Sequence, residues 1–231
     1  MISDCYPVLK LFNYAPNVSL QAYQELGYEK ERLFLGERYT PLREEFADAL
    51  ITIKDNVENI YISTGGTDTF HIVVALLELL SRDEFKHIRK TVVVGSFFQD
   101  DAWIQDMIEK GENIIFMKNV KDVASVMRTC DVAISAGGTT IAELAACGVP
   151  TICFSIADNQ LNAVKAYMER GVLFYTGDVR GSREVLLQNI ERELRNLIAD
   201  KMKRAEFSEK GRNMIDGMGA MRIAEEINNT Y

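Results

Sequence analysis

The chain has 231 residues, of which 47% are hydrophobic and 26% charged, and carries a formal net charge of -8. These values fit a folded unit with a substantial core and exclude extended disorder, while the negative balance excludes a grip on nucleic acid or an anionic membrane by bulk electrostatics. No apolar run approaches the ~18 residues of a membrane span and the N-terminus lacks a basic region followed by an apolar core, so the expected compartment is the cytoplasm.

In chain order, residues 1–56 read as a junction segment packing on a main domain of residues 57–231. Within it, "PVLKLFNYAPNVS" holds one expected strand, and "RLFLGERYTPLREEFADAL" a second that runs into a helix started by Pro41. From residue 57 short β-branched runs alternate with segments of helical period. The strands are "NIYIS" (59–63), "KTVVVGS" (90–96), "NIIFMK" (113–118), "DVAIS" (131–135), "PTICFSI" (150–156) and "VLFYTG" (172–177). Helices are expected at 69–81, 100–110, 121–129, 139–147 and 158–170. Strands this uniformly apolar are covered by helices on both faces, which predicts an α/β fold: a Rossmann-like, doubly wound, mostly parallel sheet of about six strands. Beyond residue 182 the pattern is helical, ending in the short helix "MGAMRIAEEIN" beside Gly217 and Gly219.

Ligands of such sheets sit outside the carboxyl ends of the strands, where a loop meets a helix N-terminus. Two loops have the composition for this. In "ISTGGTDTFH" (62–71), Gly65, Gly66 and Thr67 follow a strand, with Asp68 as the expected cap of a helix beginning near Thr69. In "SAGGTTIAE" (135–143), Ser135 closes a strand, Gly137 and Gly138 turn the chain, and Thr139 and Thr140 open a helix. Amides of Gly138 to Thr140 and both hydroxyls suit one phosphate of a diphosphate. Glu143, a turn on, suits a ribose diol better than a phosphate, since like charges repel. A third polar mouth follows the next strand, with Asp158, Asn159 and Gln160 offering amides suited to hydroxyl or carbonyl recognition.

Neither glycine loop has the spacing of G-x-G-x-x-G or of a Walker motif. His71 lies near the first glycine pair and could face a phosphate; His87, in "FKHIRK", reads as a solvated surface residue. Phe97, Phe98 and Trp103 follow a strand and would serve either as the wall of a base or as core. Cys5, Cys130, Cys147 and Cys153 form no C-x-x-C pair and read as buried thiols of a reducing compartment. With two histidines and no thiol cluster, neither a metal site nor a cofactor is expected.

The stretch "DVAISAGGTTIAELAACGVPTICFSIADNQ", with "LGERYTPLREEF", "ISTGGTD" and "MIDGMGAMRIAEEI", resembles the UDP-sugar hydrolases of pseudaminic acid biosynthesis and their spore-coat polysaccharide relatives. These belong to the glycosyltransferase-B fold, and the lipid-linked peptidoglycan N-acetylglucosaminyltransferase is the next nearest likeness. The resemblance implies that the chain is the C-terminal, UDP-binding half of such a fold. Gly65, Gly66 and Thr67 would then lie near the phosphates, Gly137, Gly138, Thr139 and Thr140 at the diphosphate, Glu143 on the ribose and Gln160 near the sugar. The uracil would rest against backbone following the strands that end near Ser96 and Lys118. The family's proposed general base, a histidine in a glycine-rich loop of the first domain, has no counterpart here, so no catalytic residue is assigned. Tyr39 and Arg43 are expected to face an interdomain cleft. The expected partners are a UDP-sugar and an N-terminal domain in a parent protein; the alternatives are the donor half of a glycosyltransferase and a non-catalytic nucleotide-sugar-binding domain.

Overall fold

The computed structural model describes residues 7–48 and 50–229; Cys5 lies outside them. The N-terminal part is a small parallel unit: β1 (Leu11–Asn13), α1 (Leu20–Glu25) and β2 (Leu33–Leu35), with Leu11 opposite Leu33. Ser19 caps α1 by accepting the Ala22 N–H. No α-helix begins at Pro41. Two single 3-10 turns, Glu37–Tyr39 and Glu44–Phe46, occupy that stretch instead. Leu42 and Phe46 are both buried in the cluster beside the helices Val123–Met127 and Thr140–Cys147 of the main domain, and this anchoring outweighs the local helix signal.

The main domain alternates β3 (Asn59–Ser63), α2 (Ile72–Leu80), β4 (Arg89–Val94), α3 (Asp101–Glu109), β5 (Ile114–Lys118) and α4 (Val123–Met127). It continues through β6 (Val132–Ala136), α5 (Thr140–Cys147), β7 (Thr151–Ser155), α6 (Asp158–Glu169) and β8 (Leu173–Asp178). Three C-terminal helices follow: α7 (Arg183–Ala199), α8 (Lys201–Met214) and α9 (Gly219–Asn228). The six strands are all parallel, in the order β5-β4-β3-β6-β7-β8. Numbered from β3, this is 3-2-1-4-5-6, so the direction of winding reverses between β3 and β6.

Alternation along each strand divides the core between two faces. Ile60, Ile62, Val132 and Ile134 point into a cluster with α2 and α7, whereas Tyr61 and Ala133 point into one with α5 and α6. Arg204 of α8, almost fully buried, donates to the carbonyls of Leu197, Ile198, Lys54 and Asp55, joining the end of α7 to the strand-entry segment. Helix α9 returns to the N-terminal part. Lys10 pairs with Glu226 at 2.7 Å, and a Cβ on Gly219 would meet the Thr40 backbone at 2.1 Å, so only glycine admits this approach. Cys130, Cys147 and Cys153 are buried free thiols, and burial pushes the first two up to about 12. Among the described residues no helix is long and apolar enough to cross a membrane, and no group of acidic, histidine or cysteine side chains could hold a metal ion.

Candidate functional site

The two glycine loops leave the carboxyl ends of β3 and β6, the strands that flank the reversal. They therefore face each other across the crevice in which open α/β sheets hold ligands. Two cavities open there, one on each side of the first turn of α5. The smaller, about 270 Å³, is lined by Tyr61, Gly65, Gly95, Asn119, Thr140 and Glu143. The larger, about 400 Å³, is lined by Tyr14, Thr40, Gly138, Thr139, Asn159 and Gln160.

The start of α5 lies between them. Thr139 is the N-cap residue and makes no side-chain cap bond, and the N–H groups of Thr139 and Thr140 have no acceptor among the described residues. Unsatisfied donors at a helix start, reinforced by the dipole, form an anion site. The Gly137 N–H, in contrast, donates to Phe154 O at 2.8 Å and the Gly138 N–H to Ala136 O at 2.9 Å. The Gly138 amide, expected to take part, is thus engaged within the turn, and the donors without an acceptor among the described residues begin at Thr139, while Gly138 itself lines the larger cavity. The two glycines differ in purpose. A Cβ on Gly137 would meet Val164 Cγ2 at 2.4 Å, a packing constraint from α6, whereas one on Gly138 would find only Gln160 Nε2, at 4.0 Å.

Glu143 lies in the first turn of α5, half-buried in the wall of the smaller cavity. Burial pushes its carboxyl up; the Arg43 charge opposes this and Glu45 adds to it. Tyr61, in the same wall, is 1% exposed, and burial raises its phenol too. Across α5, Gln160 accepts the Ile156 N–H on Oε1 at 2.9 Å, which fixes the amide and leaves its NH2 group as the donor beside Gly138.

At the first glycine loop, Gly65 lines the smaller cavity, but Gly66 and Thr67 are exposed and line neither. The Gly65 N–H is taken by the Ser63 hydroxyl, and its carbonyl accepts the Gly95 N–H, which ties this loop to the one after β4. Helix α2 begins at Ile72, later than Thr69, with His71 in the left-handed region (φ 51°) as N-cap. Asp68 still caps it, from further back: its carboxylate accepts the N–H groups of Ile72 and Val73 at 3.0 and 2.8 Å. The start of α2 is therefore already met by a side chain, whereas the start of α5 is not. His71 Nδ1 bonds Asp100 at 2.7 Å and lines neither cavity.

Ser135 is fully buried, its hydroxyl bonded to Ala136 O, because its strand position points beneath the mouth. Asp158 pairs with Arg180, and Asn159 alone joins Gln160 at the larger cavity. Arg43 donates to Lys121 O and pairs with Glu45, while Tyr39 stacks edge-on against Phe12 and Phe34. Phe98 is part of the core cluster and Trp103 packs, partly buried, against that cluster, whereas Phe97 is exposed. Sequence reasoning missed Tyr61 and Asn119. The first hides in an apolar strand; the second, at φ 58° after β5, carried a legible signal as an asparagine ending a strand.

The order of the sheet and its reversal between β3 and β6 define a Rossmann-like α/β domain, with the architecture of the C-terminal half of the glycosyltransferase-B fold. Solved structures agree: Acinetobacter baumannii MurG aligns at TM-score 0.62 and 17% identity over 94% of this chain and 59% of its own. The glycosyltransferase WaaG, involved in lipopolysaccharide biosynthesis, aligns at 0.60 and 14% over 94% of this chain and 62% of its own. The UDP-GlcNAc 2-epimerase of Neisseria meningitidis, solved with UDP-GlcNAc bound, aligns at 0.61 and 14% over 90% and 58%. The chain belongs to the family of proteins of unknown function DUF354, which it matches over residues 64–217, a span that includes both glycine loops. It is also 24% identical to the spore coat polysaccharide biosynthesis protein SpsG of Bacillus subtilis (strain 168) over 87% of this chain and 59% of the relative. An uncharacterized protein of Methanocaldococcus jannaschii is 29% identical over 61% of this chain and 31% of its own length. The chain thus spans less than two thirds of the curated relatives it matches.

Proposed function

We propose that this chain binds a UDP-sugar, as the donor-binding part of a nucleotide-sugar hydrolase in surface polysaccharide biosynthesis. The observation that carries the reading is the uncapped start of α5 between two cavities at the sheet reversal. The Thr139 and Thr140 amides would take the diphosphate, Glu143 the ribose, and the Gln160 NH2 group the sugar. Gly95, Asn119 and Val120 line the smaller cavity where the uracil would rest. The likeness to the spore coat protein supports polysaccharide biosynthesis, and the epimerase solved with UDP-GlcNAc supports the nucleotide sugar.

In such a reaction the departing UDP must be stabilised and a water positioned at the anomeric carbon. The α5 amides would serve the first need. His71 is engaged with Asp100 outside both cavities, so a base for the second would come from a further domain, and the chain alone would bind without turnover. Residues 1–56 would form the junction to that domain. A second reading, the donor half of a glycosyltransferase, is favoured by the likeness to WaaG. Calorimetric titration tests binding: UDP should bind more tightly than uridine, and Glu143→Ala should weaken it. Equal or absent affinity for UDP and uridine refutes the phosphate assignment, and an unchanged Glu143→Ala affinity refutes the ribose role. In the assembled protein, free sugar would mark the hydrolase and a new glycoside the transferase.

A further inference from the structure

A third cavity, about 420 Å³, lies apart from the two at the sheet reversal. It opens at the carboxyl ends of β1 and β2, the position at which a parallel unit holds ligands, between the β1–α1 loop and the turn after β2. Leu20, Leu33 and Leu35 supply apolar wall, and Lys30, Arg38 and Arg170 supply positive charge against the single carboxylate of Glu37. That carboxylate is used: Arg170 pairs with it at 3.0 Å and donates to Asn17 at 3.1 Å. Lys30 and Arg38 have no carboxylate within 4.0 Å among the described residues, and Arg38 rests only on the Tyr39 ring. Their neighbours contrast with them, since Lys10, Arg32 and Arg222 are each paired with an acidic side chain. Two unpaired cations on one cavity, in a chain of net charge -8, concentrate positive potential at a single concave place.

We propose that this cavity binds a small organic anion: one phosphate or carboxylate group held by Lys30 and Arg38, with a short apolar body against the three leucines. The volume falls within the ~300–1,000 Å³ usual for small-molecule sites. The planar guanidinium of Arg38 suits bidentate contact with either group, and the Lys30 ammonium adds a point charge. The site is independent of the nucleotide reading. The β1–α1 loop nevertheless connects them: Tyr14 to Pro16 line the 400 Å³ cavity and Asn17 lines this one.

The test is nuclear magnetic resonance titration of the whole chain with inorganic phosphate, butyl phosphate, butyrate and butanol, read at the backbone amides of Val18 and Gly36. Saturable shifts with an anion and none with butanol are expected, and butyl phosphate should bind more tightly than inorganic phosphate. Saturation by butyl phosphate alone identifies a phosphate ligand, and by butyrate alone a carboxylate. Lys30→Gln with Arg38→Gln should weaken binding by at least about tenfold. The single Lys30→Gln variant, at an exposed position without a partner, should give a smaller loss with an unchanged fold. No shift with any anion, equal shifts with butanol, or undiminished binding in the double variant overturns the proposal.

Discussion

Gly137 and Gly138 look alike in sequence, yet the structure assigns them opposite consequences on substitution. A methyl at 137 would lie 2.4 Å from Val164 Cγ2 and 3.4 Å from Gln160 Cβ. Val164 is fully buried and cannot swing away, so α6 must move. Overpacking of this kind costs about 1–3 kcal/mol, which in a chain of this size lowers the melting temperature by ~3–10 °C. At 138 the nearest atom is 4.0 Å away, so stability should stay within about 0.5 kcal/mol of the parent. The new methyl would instead narrow the larger cavity beside Gln160, where the sugar would lie, and affinity for a UDP-sugar should fall about tenfold, ~1.4 kcal/mol. Urea and thermal unfolding give the first quantity and calorimetry the second. The cause at 137 can be isolated by pairing Gly137→Ala with Val164→Ala, which removes the colliding methyl. The double variant should be more stable than the sum of the single losses implies, by about 1–2 kcal/mol. Parent-like stability in Gly137→Ala, or equal destabilisation by Gly138→Ala, would refute the division of roles.

Three further outcomes follow from the same geometry. Glu143 has its carboxyl raised by burial, so the folded state holds its proton more tightly than the unfolded chain, and stability falls as pH rises through that range. Glu143→Gln should therefore melt above the parent at neutral pH, lose this advantage below the unfolded carboxylate value, and bind UDP more weakly; melting curves from about pH 4 to about pH 8 check the sign. Asp68→Ala removes the acceptor of the Ile72 and Val73 amides and should cost about 1 kcal/mol, with faster hydrogen exchange at those two amides, whereas Asp68→Asn keeps an acceptor and should cost less. Arg204→Met would strand the four carbonyls that the guanidinium serves and should cost about 3 kcal/mol or more by urea unfolding; Arg204→Lys should not rescue it, because an ammonium cannot reproduce the planar fork.

Pattern alone determined a good deal about this protein. Strands covered on both faces read as short apolar runs, so β3 to β8 and the helices between them are legible to within a few residues. The glycine-threonine start of α5 is legible too, because those residue types answer a local need of the backbone. What the tertiary structure decided is what no local period encodes. The order 3-2-1-4-5-6 comes from pairing between distant strands, and it alone brings the loops after β3 and β6 to one crevice. It also arranges the expected loops around two cavities flanking α5, buries Ser135 beneath them, and adds Tyr61 and Asn119 from strands whose sequences announce only core or turn. Near Pro41 the local helix signal yields to the burial of Leu42 and Phe46. At α2 the dipole goes to Asp68, and at α5 it stays open. The physical reason is common to these cases: propensity and pattern act over a few residues, whereas burial, charge pairing and the fate of each N–H depend on neighbours that only folding brings together.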